Sequence, residues 1–165
     1  MTTAIYAGSF DPIHVGHVSV LSQAVYHFDK VILLLANNPE KSYMFSPIHR
    51  TQMMTRVSEF WPNVSCNRWD GLLRDFIEQL NTPCVSIRGA RNAIDFEYEH
   101  TMANINYRLG VQTIIYPATI HHEDVSSSAI KQLIKLHAPI DTILNMIPTG
   151  NSEHIKKMWE RFNVH

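Results

Sequence analysis

Two kinds of hydrophobic pattern alternate along the chain. Short, largely apolar runs recur at TAIYAGS (3–9), KVILLLAN (30–37), NVSCNRW (63–69), CVSIRG (84–89) and QTIIYPA (112–118). A run such as VILLLA (31–36) is apolar at every position rather than at alternate ones. That predicts a strand covered on both faces, the habit of parallel sheets. Between these runs, apolar residues return at helical spacing. In GHVSVLSQAVYHF (16–28), Val18, Leu21, Val25 and Phe28 share one helical face. Ser46 followed by Pro47 predicts an N-cap and a first-turn proline, opening a helix to about Phe60. LLRDFIEQL (72–80), DFEYEHTMANINYRL (95–109) and the stretch from Ser126 to about Leu136 read as further helices, the second of them stopped by Gly110. Two shorter helices are expected between Asp141 and Phe162, broken at Pro148 and Gly150.

Strands interleaved with helices predict an α/β fold: a five-stranded parallel sheet with helices on both faces. The 165 residues suit one domain, 1–165, with a helical C-terminal tail over about 139–165. Ligands of such sheets bind at the carboxyl ends of the strands. The segments to inspect are therefore 7–17, 37–45, 70–75, 88–99 and 118–128.

Composition narrows the partners. The formal net charge is -1, which gives no basic surface for nucleic acid and no polybasic patch for a membrane. The longest apolar run is far shorter than the ~18 residues of a membrane span. The opening MTTAIYAGSF lacks a basic leader, so a cytoplasmic protein is expected. The two cysteines, Cys66 and Cys84, fall in strands and are expected as reduced, buried thiols.

The first strand end carries the clearest chemistry, YAGSFDPIHVGH (6–17). His14 and His17 stand three apart. Two histidines do not complete a metal set, and no Cys or carboxylate cluster adjoins them. Asp11 is adjacent in sequence, but Pro12 makes a turn that points it away. Gly8 permits a tight turn, and Gly16 lets backbone N–H groups approach a ligand at the start of a helix. A helix N-terminus favours anions, and His17 adds an imidazole donor there. The stretch therefore predicts a phosphate site with His17 as the chemical residue and His14 as a support or second nucleotide contact. In RGARNAIDFEYE (88–99), Arg88 and Arg91 are suited to chelating phosphate oxygens, and Asp95 and Glu99 open a helix where carboxylates suit the dipole. VSSSAIK (125–131) places hydroxyls and free N–H groups at another helix start, where a plain N-cap is an equal alternative. Lys41, after the second strand, has an exposed loop lysine as its alternative reading, and Leu72 and Leu73 are equally consistent with plain core. No Gly-x-Gly-x-x-Gly follows the first strand, which speaks against a Rossmann dehydrogenase.

GSFDPIHVGH resembles the first signature of the nucleotidyltransferases that share a His-x-Gly-His motif, and VSSSAIK resembles their second. RGARNAIDFEYE, together with NNPEKSYMF (37–45), is similar to the blocks of the bacterial phosphopantetheine adenylyltransferase family. Nicotinate mononucleotide adenylyltransferases share the first motif and not the block at 88–99. The resemblance spans about residues 4–135. It departs at Ala7, where proline is usual, and at HHED (121–124), where an aromatic-containing stretch is usual.

The resemblance implies a Rossmann-like nucleotidyltransferase fold and a reaction of ATP with 4'-phosphopantetheine giving 3'-dephospho-coenzyme A and pyrophosphate. It implies His17 as the catalytic residue. ATP is expected at Ser9, Phe10, His17, Gly89, Ala90, Arg91, Glu99, His122, Glu123, Asp124, Val125, Ser126, Ser127 and Ser128. Phosphopantetheine is expected at Ser9, Lys41, Leu73 and Arg88. Mg²⁺ is expected on the triphosphate, held by its oxygens and by water, and the family resemblance implies a homohexamer. The alternatives are a related enzyme with nicotinate mononucleotide or a polyol phosphate as acceptor, or a nucleotide-binding homologue without turnover.

Overall fold

The computed structural model describes residues 2–37, 41–118 and 124–163. Strands β1 (Thr3–Gly8), β2 (Lys30–Ala36), β3 (Val64–Trp69), β4 (Cys84–Ala90) and β5 (Thr113–Pro117) alternate with helices α1 (Val15–His27), α2 (Pro47–Ser58), α3 (Leu73–Leu80) and α4 (Ala93–Arg108). Helices α5 (Ser127–Lys135), α6 (Ile140–Leu144) and α7 (Ser152–Asn163) follow. The strands form one parallel sheet in the order β3-β2-β1-β4-β5.

The central strands are buried on both faces, as the unbroken apolar runs predict. Ala4, Tyr6, Val31, Leu33 and Leu35 point into the larger core with Val20, Leu21, Met53, Met54, Ile130 and Ile134. Ile5, Ala7, Ile32 and Leu34 point to the other side, where Phe76 of α3 closes a smaller cluster. Truncating one of these, such as Leu33→Ala, removes roughly 2–5 kcal/mol of transfer and packing energy. The C-terminal helices belong to the larger core, to which Ile143, Ile147, Ile155 and Met158 contribute.

Most helix boundaries follow their caps. Ser46 accepts from the N–H of His49 at 3.3 Å ahead of Pro47. Gly110 takes φ +81° after α4, a conformation that suits a residue without Cβ. Helix α4 starts earlier than its apolar pattern suggests, because the Asn92 side chain accepts from the N–H of Asp95 at 2.9 Å. The cysteines are free as expected but only half-buried, at the start of β4 and within β3. Burial still pushes both thiols above their ordinary range. No helix of the described residues is long and apolar enough to cross a membrane.

Strand β1 has β2 on one side and β4 on the other, so the chain reverses its winding direction between β1 and β4. At such a switch point the connecting loops diverge and leave a crevice. A close approach keeps this crevice compact. A Cβ on Gly89 would meet Val20 Cγ2 at 2.6 Å, so only glycine lets α1 lie directly on the end of β4.

Candidate active site

A cavity of about 780 Å³ opens at that crevice, within the usual size of small-molecule sites. Its wall includes Ser9, Phe10, His14 and His17 from the β1–α1 turn, and Lys41 and Tyr43 from the loop before α2. It also includes Arg88, Gly89, Arg91, Asp95 and Glu99 from the β4–α4 turn, and Ser126, Ser127, Ser128 and Lys131 from the start of α5. Four segments far apart in sequence thus meet because each follows the carboxyl end of a parallel strand.

His17 occupies the first turn of α1. The backbone N–H of His14 donates to its Nδ1 at 3.2 Å. Nδ1 is therefore an acceptor, and the proton of the neutral ring sits on Nε2. The ring contacts Phe10 edge-on at 5.0 Å and the ring of His14 at 3.7 Å. Burial, and then the charges of Arg91 and Arg88, hold its pKa down at about 3. The imidazole is thus a neutral Nε2–H donor throughout the physiological range. His14 is buried beneath it, and Gly16 leaves room, since a Cβ there would come within 3.0 Å of the His14 ring. The two rings lie nearly face to face, tilted by 31°. The backbone of His14 fixes the His17 ring through that Nδ1 bond, and its own ring packs against it.

Phe10 adopts φ +44°, an uncommon conformation for an aromatic residue. Its ring is buried and packs edge-on against Tyr6 at 5.5 Å. The strain is tolerated because that packing fixes the residue, and it keeps the turn that presents Ser9 and His17 in one shape.

Every carboxylate on the cavity wall is held by a cation. Arg88 donates from Nε to Glu99 at 2.7 Å and from Nη1 to the Ala7 carbonyl at 2.9 Å. Arg91 donates from Nε to Asp95 at 2.6 Å and from Nη1 to the Val125 carbonyl at 3.0 Å. The Arg91 guanidinium keeps the Asp95 carboxyl below its usual range. Lys131 donates to Asp11 at 3.0 Å. Among the described residues no cluster of His, Cys, Asp and Glu has the makings of a metal cage.

The family profile described as cytidylyltransferase-like matches residues 5–133. The phosphopantetheine adenylyltransferase of Desulfatibacillum aliphaticivorans is 40% identical over 157 residues, covering 94% of this chain and 87% of that protein. The one from Clostridium beijerinckii is 34% identical over 166 residues, covering 99% of this chain and all of that protein (100%). The chain belongs to the phosphopantetheine adenylyltransferase family. The fold is similar to that of Plasmodium falciparum nicotinic acid mononucleotide adenylyltransferase in its complex with NaAD, with a TM-score of 0.69 at 15% identity and 99% of each chain covered. A putative nicotinate-nucleotide adenylyltransferase from Vibrio parahaemolyticus gives 0.64 at 17% identity, covering 94% of this chain and 98% of that one. At such identities the likeness concerns the fold alone.

Most residues singled out from the sequence meet at the cavity, and some do not. Leu73 is absent from the wall; it packs with Trp69 against the smaller core, so its apolar character serves the fold. Ala90 is buried at the end of β4, and Asp124 is exposed away from the wall. Val125 is buried, and its carbonyl serves as an acceptor for Arg91. His122 and Glu123 lie outside the described residues. Ser127 donates its hydroxyl to the Pro12 carbonyl at 2.9 Å, tying the α5 start to the first turn. Asp11 does turn away from the histidines, toward the N–H groups of Met44 and Phe45 at 3.0 and 2.8 Å. Lys131 went unnoticed in the sequence. The signal was its position four residues after Ser127, one helical turn along the same face.

Proposed function

We propose that this chain is a cytoplasmic pantetheine-phosphate adenylyltransferase, transferring the adenylyl group of ATP to 4'-phosphopantetheine in coenzyme A biosynthesis. The observation that carries the reading is the company of His17: one cavity gathers it with Lys41, Arg88, Arg91 and the serines 126–128. The likeness to relatives of that name over nearly the whole chain supports the choice of acceptor.

An oxygen of the phosphopantetheine phosphate attacks the α-phosphorus of ATP. The new P–O bond forms as the bond to the β-phosphate bridging oxygen breaks, and pyrophosphate leaves with that electron pair. The nucleophile is already anionic at neutral pH, its second pKa being near ~6, so it requires no general base. The protein contributes position and charge. Lys41, Arg88 and Ser9 hold the attacking phosphate. Arg91, the Phe10 backbone and the start of α5 with Ser126, Ser127 and Ser128 hold the triphosphate. Glu99 acts here through Arg88, whose fork it orients. His17 donates from Nε2 to a non-bridging α-oxygen as charge builds there. Mg²⁺ arrives as part of the nucleotide substrate.

The enzyme is a homo-oligomer, with a homohexamer the expected form. Helix α4 buries none of its residues and exposes Ile94 (80%), Phe96 (52%), Tyr98 (61%), Ile105 (46%) and Tyr107 (71%). Apolar exposure of this extent favours a protein partner, and sedimentation of the purified chain tests it. For the reaction, the test is the product. Incubation with ATP and phosphopantetheine yields a species with the mass of 3'-dephospho-coenzyme A. A product formed only with nicotinate mononucleotide or a polyol phosphate overturns the acceptor.

A further inference from the structure

The largest fully buried side chain is Arg50 of α2, at 1% exposure. Arginine is rarely buried so completely. Its guanidinium donates from Nε to the Phe45 carbonyl at 3.1 Å, from Nη1 to the Ser9 carbonyl at 2.9 Å and from Nη2 to Asn37 Oδ1 at 3.0 Å. Its charged carbon lies 3.9 Å from the centre of the Tyr43 ring. Ser9 follows β1, Asn37 follows β2, and Tyr43 and Phe45 belong to the loop that carries Lys41. One planar fork therefore ties together three segments of the acceptor side. The loop is gripped from its other edge by Asp11, which takes the N–H groups of Met44 and Phe45.

Anchoring α2 does not require this charge. Met53, Met54 and Val57 of the same helix are fully buried, and a methionine at position 50 would fill volume without desolvating a cation. What methionine or lysine lacks is a rigid fork with donors in fixed directions. We propose that Arg50 is a positioning residue for the phosphate acceptor, fixing Ser9 and the Lys41 loop at the spacing that receives the attacking phosphate. Each of its three guanidinium nitrogens already donates to a protein acceptor. The inference rests on the acceptor assignment given above.

The test compares Arg50→Lys and Asn37→Ala with the wild-type chain, measuring KM for phosphopantetheine and for ATP separately, with melting temperatures alongside. Arg50→Lys keeps the charge and loses the fork. It raises KM for phosphopantetheine at least tenfold while KM for ATP stays within twofold. Asn37→Ala removes one acceptor of the fork, along with the exposed bond from Asn37 Nδ2 to Asp70 at 2.6 Å, and shifts the same KM by a few fold. Unchanged KM values in both variants overturn the proposal. So does an equal rise for both substrates accompanied by a lower melting temperature. If Arg50→Lys does not fold, Asn37→Ala decides alone. Wild-type protein that releases no pyrophosphate with phosphopantetheine sinks the assigned function instead, a result these comparisons do not resemble.

Discussion

Arg88 and Glu99 face each other across the cavity wall as a two-pronged pair, with Nε to Oε2 at 2.7 Å and Nη2 to Oε1 at 3.3 Å. Both side chains are largely shielded, at 25% and 15% exposure, so the pair is not a solvated surface contact. The carboxylate fixes the plane of the guanidinium, which the proposed function assigns to the acceptor phosphate. Arg88→Ala removes a charge-assisted contact worth roughly 1.5–3 kcal/mol, about ten- to a hundredfold in phosphopantetheine use. Glu99→Gln leaves the arginine but loosens its aim, and gives a smaller loss in the same parameter. Steady-state kinetics with both substrates varied checks this; losses confined to ATP contradict it.

Arg91 joins the β4–α4 turn to the residue before the three serines, through Asp95 on one side and the Val125 carbonyl on the other. Arg91→Ala and Ser128→Ala are expected to weaken ATP binding without unfolding the chain, since both residues lie at element ends. Calorimetric titration with ATP and a melting curve separate the outcomes. A large drop in melting temperature with ATP affinity intact contradicts the assignment.

On the proposed mechanism, His17 is expected to matter in the transition state more than in the ground state. Its Nε2–H is fixed by the bond at Nδ1, at the helix end where an anion is already favoured. Loss of one such donor costs roughly a hundred- to a thousandfold in turnover. His17→Ala lowers kcat by about that factor and changes ATP dissociation little. His14→Ala does less. Equal losses in the two variants, with activity abolished by a zinc chelator, contradict the phosphate reading of the motif.

The same histidine gives the apo chain a pH signature. Its pKa falls from 6.5 in the unfolded chain to about 3 in the folded one. Between these values the unfolded chain binds a proton that the folded chain does not, so stability falls as pH drops below 6.5. The loss reaches at most about 1.4 kcal/mol per pH unit and levels off below the folded value. His154, also held below its ordinary value by burial, adds in the same direction. Urea midpoints at pH 7, 6 and 5 fall in turn, and less steeply in His17→Asn. Identical slopes contradict a ring held neutral in the folded chain.

The sheet was legible in the sequence because parallel strands buried on both faces write unbroken apolar runs, as VILLLA does in β2. The helix starts at Pro47 and Ser127 were legible because caps are local chemistry. The place of the His-x-Gly-His turn on the cavity wall was legible, since the turn follows the carboxyl end of β1 and its residues lie within one short segment. What escaped depends on tertiary meeting. Nothing near Arg50 in sequence announces that Ser9 and Asn37 will supply its acceptors. Leu73 could have faced the cavity or the core, and only the placement of Trp69 and Phe76 decides for the core. Cys84 opens β4, and Cys66 lies on the edge strand β3, none of whose residues is fully buried, so strand membership alone overstated their burial.

The proposed transfer of adenylyl from ATP to the phosphate of phosphopantetheine is read most directly in the rate of pyrophosphate release from ATP with phosphopantetheine, with nicotinate mononucleotide and with no acceptor. Release that depends on phosphopantetheine, in one-to-one ratio with dephospho-coenzyme A, is the predicted result. Release that is the same without an acceptor, or that only nicotinate mononucleotide supports, contradicts it.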